Sequence, residues 1–280
     1  MAIVLGLAVA LVYGAADFLG GRTSRGNRPA AVVAVSQLAS LGLLGLLLAV
    51  DATPPPGAGS LWLGAASGVV GLAGVLLLYR GLALGQMGVI APVTAVGAAI
   101  LPLAYGIATG ERPSAAALVG VALALGAVGL IASGGSPSEG PHQRTSVKEL
   151  ALAGAAGAAF GAGFILLAES GEGSGFWPLL AARSASVPLA VLVALRGGHR
   201  LAITRGSRLA VVAAGALDVL AIALYLLASR RGLISLVAVL GSLYPAATVV
   251  LARIVLREHL VRLQLVGLGL ALVGVVLIAS

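Results

Sequence analysis

Three ionisable side chains, Arg183, Asp218 and Asp17, lie inside long apolar stretches of the sequence. The stretches are long enough to cross a lipid bilayer, and a charge at the bilayer centre costs about 2.5–3.5 kcal/mol on insertion scales. Charged residues persist there when they pair with each other, bind a charged substrate or carry a proton. These three residues are therefore the candidates for chemistry.

Arg183 and Asp218 are the predicted centre of a binding site. They lie near the middle of the apolar stretches 176–195 and 208–229, which are consecutive and therefore cross the membrane in opposite directions. Both side chains then reach a similar depth and can pair. One interpretation is a fixed ion pair that holds two helices together. In the other, Arg183 binds an anionic group of a substrate, and Asp218 is its counter-ion or a proton acceptor.

Asp17 is predicted to take part in ion coupling together with Asp218. It lies toward the end of the first apolar stretch, and Gly20, Gly21 and Arg22 follow closely. The alternative is that Asp17 reaches the headgroup region of the membrane, where a carboxylate needs no special partner.

Polar uncharged residues extend the predicted substrate site. The apolar stretches also contain the residues Gln37, Tyr13, Tyr225 and Tyr244. Gln37 aligns with Arg183 in the internal repeat described below, so both residues project from equivalent helix positions. Interhelical hydrogen bonds, worth about 0.6 kcal/mol each in a membrane protein, are the alternative explanation for these residues.

The sequence gives no support to enzyme chemistry. Cysteine is absent, and the three histidines lie in predicted loops without a partner four residues away. No nucleotide-binding or serine-nucleophile motif is present. We therefore expect no catalytic residue, no metal, no cofactor and no nucleic-acid partner.

The elements that position these residues are predicted to be transmembrane helices. Of the 280 residues 60% are apolar and 9% are charged, and the mean hydropathy is +1.11. A soluble domain has roughly a quarter of charged residues, so this is an integral membrane protein. Since a helix crosses the hydrocarbon core with about 20 residues, ten spans are predicted: 2–20, 30–50, 61–80, 87–109, 114–133, 149–168, 176–195, 208–229, 233–255 and 262–279.

The second half of the chain repeats the first. Residues 111–133 align without a gap with residues 258–280, and Tyr13-Gly14-Ala15 aligns with Phe160-Gly161-Ala162, both at a displacement of 147. Five spans per half would place the second half upside down in the membrane, as in inverted-repeat transporters. The predicted fold is an all-α membrane protein of two inverted five-helix repeats, 1–133 and 149–280, joined by a linker at 134–148.

The motifs of the two repeats resemble those of the drug/metabolite transporter superfamily, and its EamA-type members in particular. The similarity is carried by Gly110-Glu111-Arg112-Pro113 and Arg257-Glu258-His259-Leu260, each followed by a glycine-rich last helix. Tyr13-Gly14 and Phe160-Gly161 lie where the family often has Trp-Gly, and Gln37 replaces an arginine common in the second helix. The proline-to-glutamate spacing is nine residues from Pro102 and thirteen from Pro245, which predicts a first half shorter by one turn.

The resemblance implies a multi-pass transporter of the cell (plasma) membrane. The protein is expected to be a secondary carrier that exports a small metabolite, such as an amino acid, by alternating access. The alternatives are a lipid-processing enzyme or a lipid flippase acting on a polar headgroup, and a channel. The expected partners are a small-molecule substrate and the lipid bilayer, with the chain acting as a monomer or a homodimer.

Charge and resemblance predict opposite orientations. Thirteen lysine and arginine residues lie in or beside one set of alternate connections, and three lie in the other set. The positive-inside rule puts the larger group in the cytoplasm and both termini outside. The family resemblance implies cytoplasmic termini.

Overall fold

The chain folds into helices throughout the part that the computed structural model describes, which comprises residues 1–24, 26–84, 87–133, 146–196, 201–256 and 262–279. These ranges contain eleven α-helices and two short 3₁₀ turns, and no strand. The α-helices are α1 (Ala2–Ser24), α2 (Pro29–Asp51), α3 (Ala58–Leu84), α4 (Met87–Ala108), α5 (Ala115–Ser133), α6 (Val147–Ala168), α7 (Trp177–Arg196), α8 (Arg208–Ser229), α9 (Ile234–Gly241), α10 (Tyr244–Leu256) and α11 (Arg262–Ala279).

The helices form ten spans, because α9 and α10 follow each other across Ser242 and Leu243. Six helices are long and apolar enough to cross a membrane, and the other four spans contain shorter apolar helices within the described residues. Helices satisfy their own backbone hydrogen bonds, which lipid cannot do for them. The predicted all-α fold with ten spans is confirmed, and the predicted ends lie within about four residues of the observed ones.

The packing of the helices has the pattern of a twofold repeat. α1 packs against α8 as α6 packs against α3, and α4 packs against α6 as α9 and α10 pack against α1. α2 packs against its counterpart α7, and α5 against its counterpart α11. Such pairing is expected when two halves are related by an axis in the membrane plane.

Small residues bring these helices together. A side chain on Gly68 would overlap the backbone carbonyl of Ala182 where α3 crosses α7, and one on Gly157 would lie 2.6 Å from the Thr94 carbonyl oxygen where α6 crosses α4. Without a hydrophobic drive between helices in lipid, such close backbone contact is a main source of attraction.

The ninth span is broken where the sequence predicted a continuous helix. α9 ends at Gly241 and α10 begins at Tyr244, with Pro245 as its second residue. Proline has no amide to donate and is accommodated in the first turn of a helix. α4, the equivalent span of the first half, continues without a break from Met87 to Ala108.

The first half is not shortened, so that expectation was wrong. α4 and α9 begin 147 residues apart, the displacement that also separates Glu111 from Glu258. Pro102 and Pro245 are therefore not equivalent positions, and their different spacing reflects where each half carries its proline.

The start of the second half is defined by a helix cap. Ser146 Oγ accepts a hydrogen bond from Glu149 N at 3.3 Å, and Glu149 Oε2 accepts one from Ser146 N at 2.9 Å. This reciprocal capping satisfies two amides at the beginning of α6. The helix therefore starts at Val147, two residues before the predicted position, while 134–145 of the predicted linker lie outside the described residues.

Candidate functional site

The predicted charge pair forms inside the bundle. An Nη2 group of Arg183 on α7 donates a hydrogen bond to Asp218 Oδ2 on α8, and both helices pack on α2. Arg183 is 8% exposed, whereas the Asp218 side chain is 35% exposed. The arginine is thus enclosed and occupied by its partner, and the carboxylate is the more accessible half of the pair.

Gln37 lies beside this pair in the same layer. Its Oε1 accepts a hydrogen bond at 3.3 Å from Ser186 Oγ, which is one turn beyond Arg183 on α7. Gln37 is 9% exposed, and its own backbone carbonyl accepts a hydrogen bond from Ser40 Oγ at 2.6 Å. The equivalent positions of the two repeats, Gln37 and Arg183, therefore lie on helices that pack together.

A chain of aromatic rings borders the charged residues. Tyr13 contacts Phe164 edge-on with ring centres 6.5 Å apart, and Tyr13 and Tyr244 are 6.4 Å apart. Tyr13 lies on α1, which packs against α8, the helix that carries Asp218. The rings connect α1, α6 and α10, so residues of both halves surround the site.

Tyr225 belongs to the packed interior next to these rings. It is 1% exposed, its ring lies 4.6 Å from that of Phe164, and its hydroxyl donates to the Phe164 carbonyl oxygen at 3.4 Å. Tyr225 thus contacts Phe164, which in turn contacts Tyr13.

Phe164 was missed by the sequence reasoning, although a signal for it existed. At the repeat displacement of 147 residues it is the counterpart of Asp17. The two repeats therefore place a carboxylate and an aromatic ring at equivalent positions around the site.

Asp17 lies on the interior face of α1. Gly14, Tyr13 and Ala10 precede Asp17 by three, four and seven positions and therefore share a helix face with it. Gly14 and Ala10 are buried, and the Tyr13 ring packs near that of Tyr244. The exposed residues Val4 and Leu11 lie roughly 120–140° away around the helix.

Asp17 itself is nevertheless exposed. Among the described residues it has no hydrogen-bond or ion-pair partner.

The face of the bundle that carries both chain termini, the terminal face, is held together by contacts between the halves. Glu111 Oε1 accepts a hydrogen bond from Ile234 N at 2.6 Å, and its Oε2 accepts one from Ser235 N at 3.0 Å. Trp177 Nε1 donates to the Thr53 carbonyl oxygen at 2.8 Å. Glu111 thus caps the first turn of α9 from the other repeat.

Glycine makes room for this cap. A side chain on Gly106 would overlap the Glu111 carboxylate, since both lie at the junction of α4 with the following connection.

On the opposite face, the basic face, Asn27 Oδ1 accepts a hydrogen bond from Thr204 N at 2.9 Å.

The described residues contain no group of three or more potential metal ligands. His142, His199 and His259, like Glu258, lie outside the described residues. The site itself contains one ion pair, one exposed carboxylate, an amide and several aromatic rings, groups that can bind a ligand.

Comparison with known proteins agrees with this architecture. Residues 147–280 match the family model described as the EamA-like transporter family. A solved structure described only as "Crystal structure of protein" superposes with a TM-score of 0.83 at 16% identity, covering 99% of this chain and 98% of the other. No curated protein matches the chain.

Proposed function

This chain belongs, through residues 147–280, to the EamA-like transporter family, and from that premise we propose that it is a secondary carrier that exports a small metabolite by alternating access. Members of this family are transporters in a lipid bilayer and not enzymes, which indicates the same for this chain. An amino acid or a related compound is the proposed cargo, and the cell (plasma) membrane is the proposed location.

The main support for this proposal is that the polar residues of the candidate site come from both repeats. Arg183, Asp218 and Tyr244 come from the second half, whereas Tyr13 and Gln37 come from the first. A substrate bound among them contacts both halves, so a movement of one half against the other changes access to it.

The terminal face provides the contacts that such a movement has to break. The Glu111 cap on α9 and the bond from Trp177 to Thr53 both join the halves there. In the proposed cycle these bonds hold the terminal face closed while Asp17 is accessible, and they open when the opposite face closes. The break between α9 and α10 allows α9 to move away from Glu111 while α10 stays beside α1.

In this mechanism the charged residues have separate roles. We assign substrate binding to Arg183, Asp218, Gln37, Tyr13 and Tyr244, with Tyr225 supporting the rings. We assign ion coupling to Asp218 and Asp17, because Asp218 is the more exposed half of the ion pair and Asp17 is exposed on α1.

The proposal is tested by flux in proteoliposomes. Proteoliposomes that contain the purified protein are loaded with a mixture of radiolabelled amino acids. Exchange of the label is then measured for the wild type and for Arg183→Ala and Asp218→Ala. We expect each variant to lose at least nine-tenths of the flux, whereas Arg205→Ala, an exposed residue at the basic face, retains it. Unchanged flux in both variants would show that Arg183 and Asp218 do not form the substrate site. Lipid scrambling without solute flux would favour the flippase alternative.

A further inference from the structure

A cleft lies between the end of α1 and the start of α8 at the basic face. Its volume is about 510 Å³, and it is lined by both helices and by the turn before α8. Beside it, Asn27 Nδ2 donates a hydrogen bond to the Thr23 carbonyl oxygen at 2.9 Å, and Asn27 Oδ1 accepts the one from Thr204 N. These bonds hold the end of α1, in the first repeat, against the segment that leads into α8, in the second.

The cleft lies on the outer side of the bundle, away from the candidate site. Arg22 in its lining follows Asp17 by five residues, which places it about 140° away around α1. Leu209 precedes Asp218 by nine residues and therefore lies about 180° away around α8. Leu209 is 82% exposed, as a residue that faces lipid can be. A ligand in the cleft would thus leave the candidate site unoccupied.

The lining of the cleft changes from polar to apolar with depth. Arg22 and Ser207 lie next to the connections, whereas Leu19 and Ala213 lie about one and two turns deeper in their helices. Arg22 is exposed, and its guanidinium has no hydrogen-bond or ion-pair partner in the part of the chain that the structure describes. The polar end therefore presents an unpaired positive charge above an apolar slot.

An anionic phospholipid has the same distribution of polar and apolar groups. A guanidinium binds phosphate oxygens through two parallel hydrogen bonds, and basic pockets between transmembrane helices attract anionic headgroups. Exposed Arg205 and Arg208 add positive charge beside the cleft, and none of its described lining residues is acidic. The apolar slot below is complementary to an acyl chain.

We propose that the cleft between α1 and α8 binds a phospholipid with an anionic headgroup, that Arg22 binds its phosphate, and that an acyl chain lies against Leu19 and Ala213. The inference goes beyond the carrier function proposed above and does not depend on it. A lipid in this position contacts both repeats.

The experiment compares two lipids that differ in headgroup charge and share their acyl chains. Binding of phosphatidylglycerol and of phosphatidylcholine to the full chain in a neutral detergent is measured by native mass spectrometry. We expect phosphatidylglycerol to bind about tenfold more tightly, because only this lipid has a net negative charge. The preference should disappear in Arg22→Gln. Ala213→Phe, which fills the apolar slot and keeps every charge, should weaken the binding of both lipids.

A matched control distinguishes the cleft from a general attraction to the basic face. Arg196→Gln removes an exposed charge at the end of α7, outside the cleft, and should change the preference by less than about twofold. Equal binding of the two lipids, equal losses in Arg22→Gln and Arg196→Gln, or full binding in Ala213→Phe would each overturn the inference.

A competition measurement distinguishes a lipid from a free anion. Inorganic phosphate and glycerophosphoglycerol, the headgroup without acyl chains, are added in excess over phosphatidylglycerol. We expect neither to displace the lipid, because neither fills the apolar slot. Displacement by either compound would assign the cleft to a soluble anion and overturn the inference. Flux is measured separately in proteoliposomes, so failure here would leave the carrier proposal standing.

Discussion

At the scale of single residues, the ion pair between Arg183 and Asp218 is more costly to break than to replace. Removing one partner leaves the other charge in the interior without compensation, which typically costs about 3–5 kcal/mol. Arginine cannot lose its proton to escape this penalty, whereas an aspartate can gain one. The enclosed guanidinium should therefore tolerate the loss of its partner least.

The pair gives a prediction for stability. We expect Arg183→Met and Asp218→Leu each to lower the free energy of unfolding by about 3 kcal/mol, with the larger loss for Asp218→Leu. The double variant should lose less than the sum, because no charge is left unpaired. Thermal melting of the detergent-purified proteins measures this coupling, and strictly additive losses would show that the two residues do not depend on each other.

At the scale of helices, Glu111 links the end of one repeat to the start of a helix in the other. Its two oxygens receive the amides of Ile234 and Ser235, the groups that a helix leaves unpaired at its beginning. Ser235 is 0% exposed beneath this cap. The cap thus controls access to the first turn of α9.

Loss of the cap should open the terminal face. Since the chain contains no cysteine, Ser235→Cys provides a single reporter for a membrane-impermeant maleimide. We expect slow labelling of this reporter alone and labelling at least fivefold faster when Glu111→Gln is added, because the amide can accept fewer of the two bonds. The neighbouring Arg112→Gln serves as the control, and equal labelling rates in all three backgrounds would contradict the role of the cap.

The elements could be predicted because each depends on its own sequence. Apolar runs of about 20 residues determine where helices lie, and opposite directions of consecutive spans brought Arg183 and Asp218 to one depth. The contacts of Phe164 and Glu111 could not be found in this way, since they depend on how helices distant in sequence rotate and approach each other. The break at Ser242 and Leu243 was missed for a related reason: the apolar run continues through it, and Pro245 alone indicated a disturbance.

At the scale of the whole molecule, the two repeats share a fold but differ at the site. Gln37 stands opposite Arg183, and Asp17 is the counterpart of Phe164. The symmetric packing can exchange the open face, while the asymmetric side chains give the site its charge. In the proposed carrier we therefore expect the inverted repeat to determine how the halves move, and the few departures from symmetry to determine what binds.

The distribution of basic residues predicts the orientation of the protein in the membrane. In the sequence, thirteen lysine and arginine residues lie in or beside one set of alternate connections and three lie in the other set, so the side with the larger group should be cytoplasmic and both termini should be outside. The accessible acid Asp17, which follows Tyr13 toward the basic end of α1, would then receive its substrate from the cytoplasm, as an exporter requires. We expect a C-terminal alkaline phosphatase fusion to be active in bacterial cells and a C-terminal green fluorescent protein fusion to be dark. The reverse result would support the cytoplasmic termini implied by the family resemblance, and it would make the same accessible site face the outside.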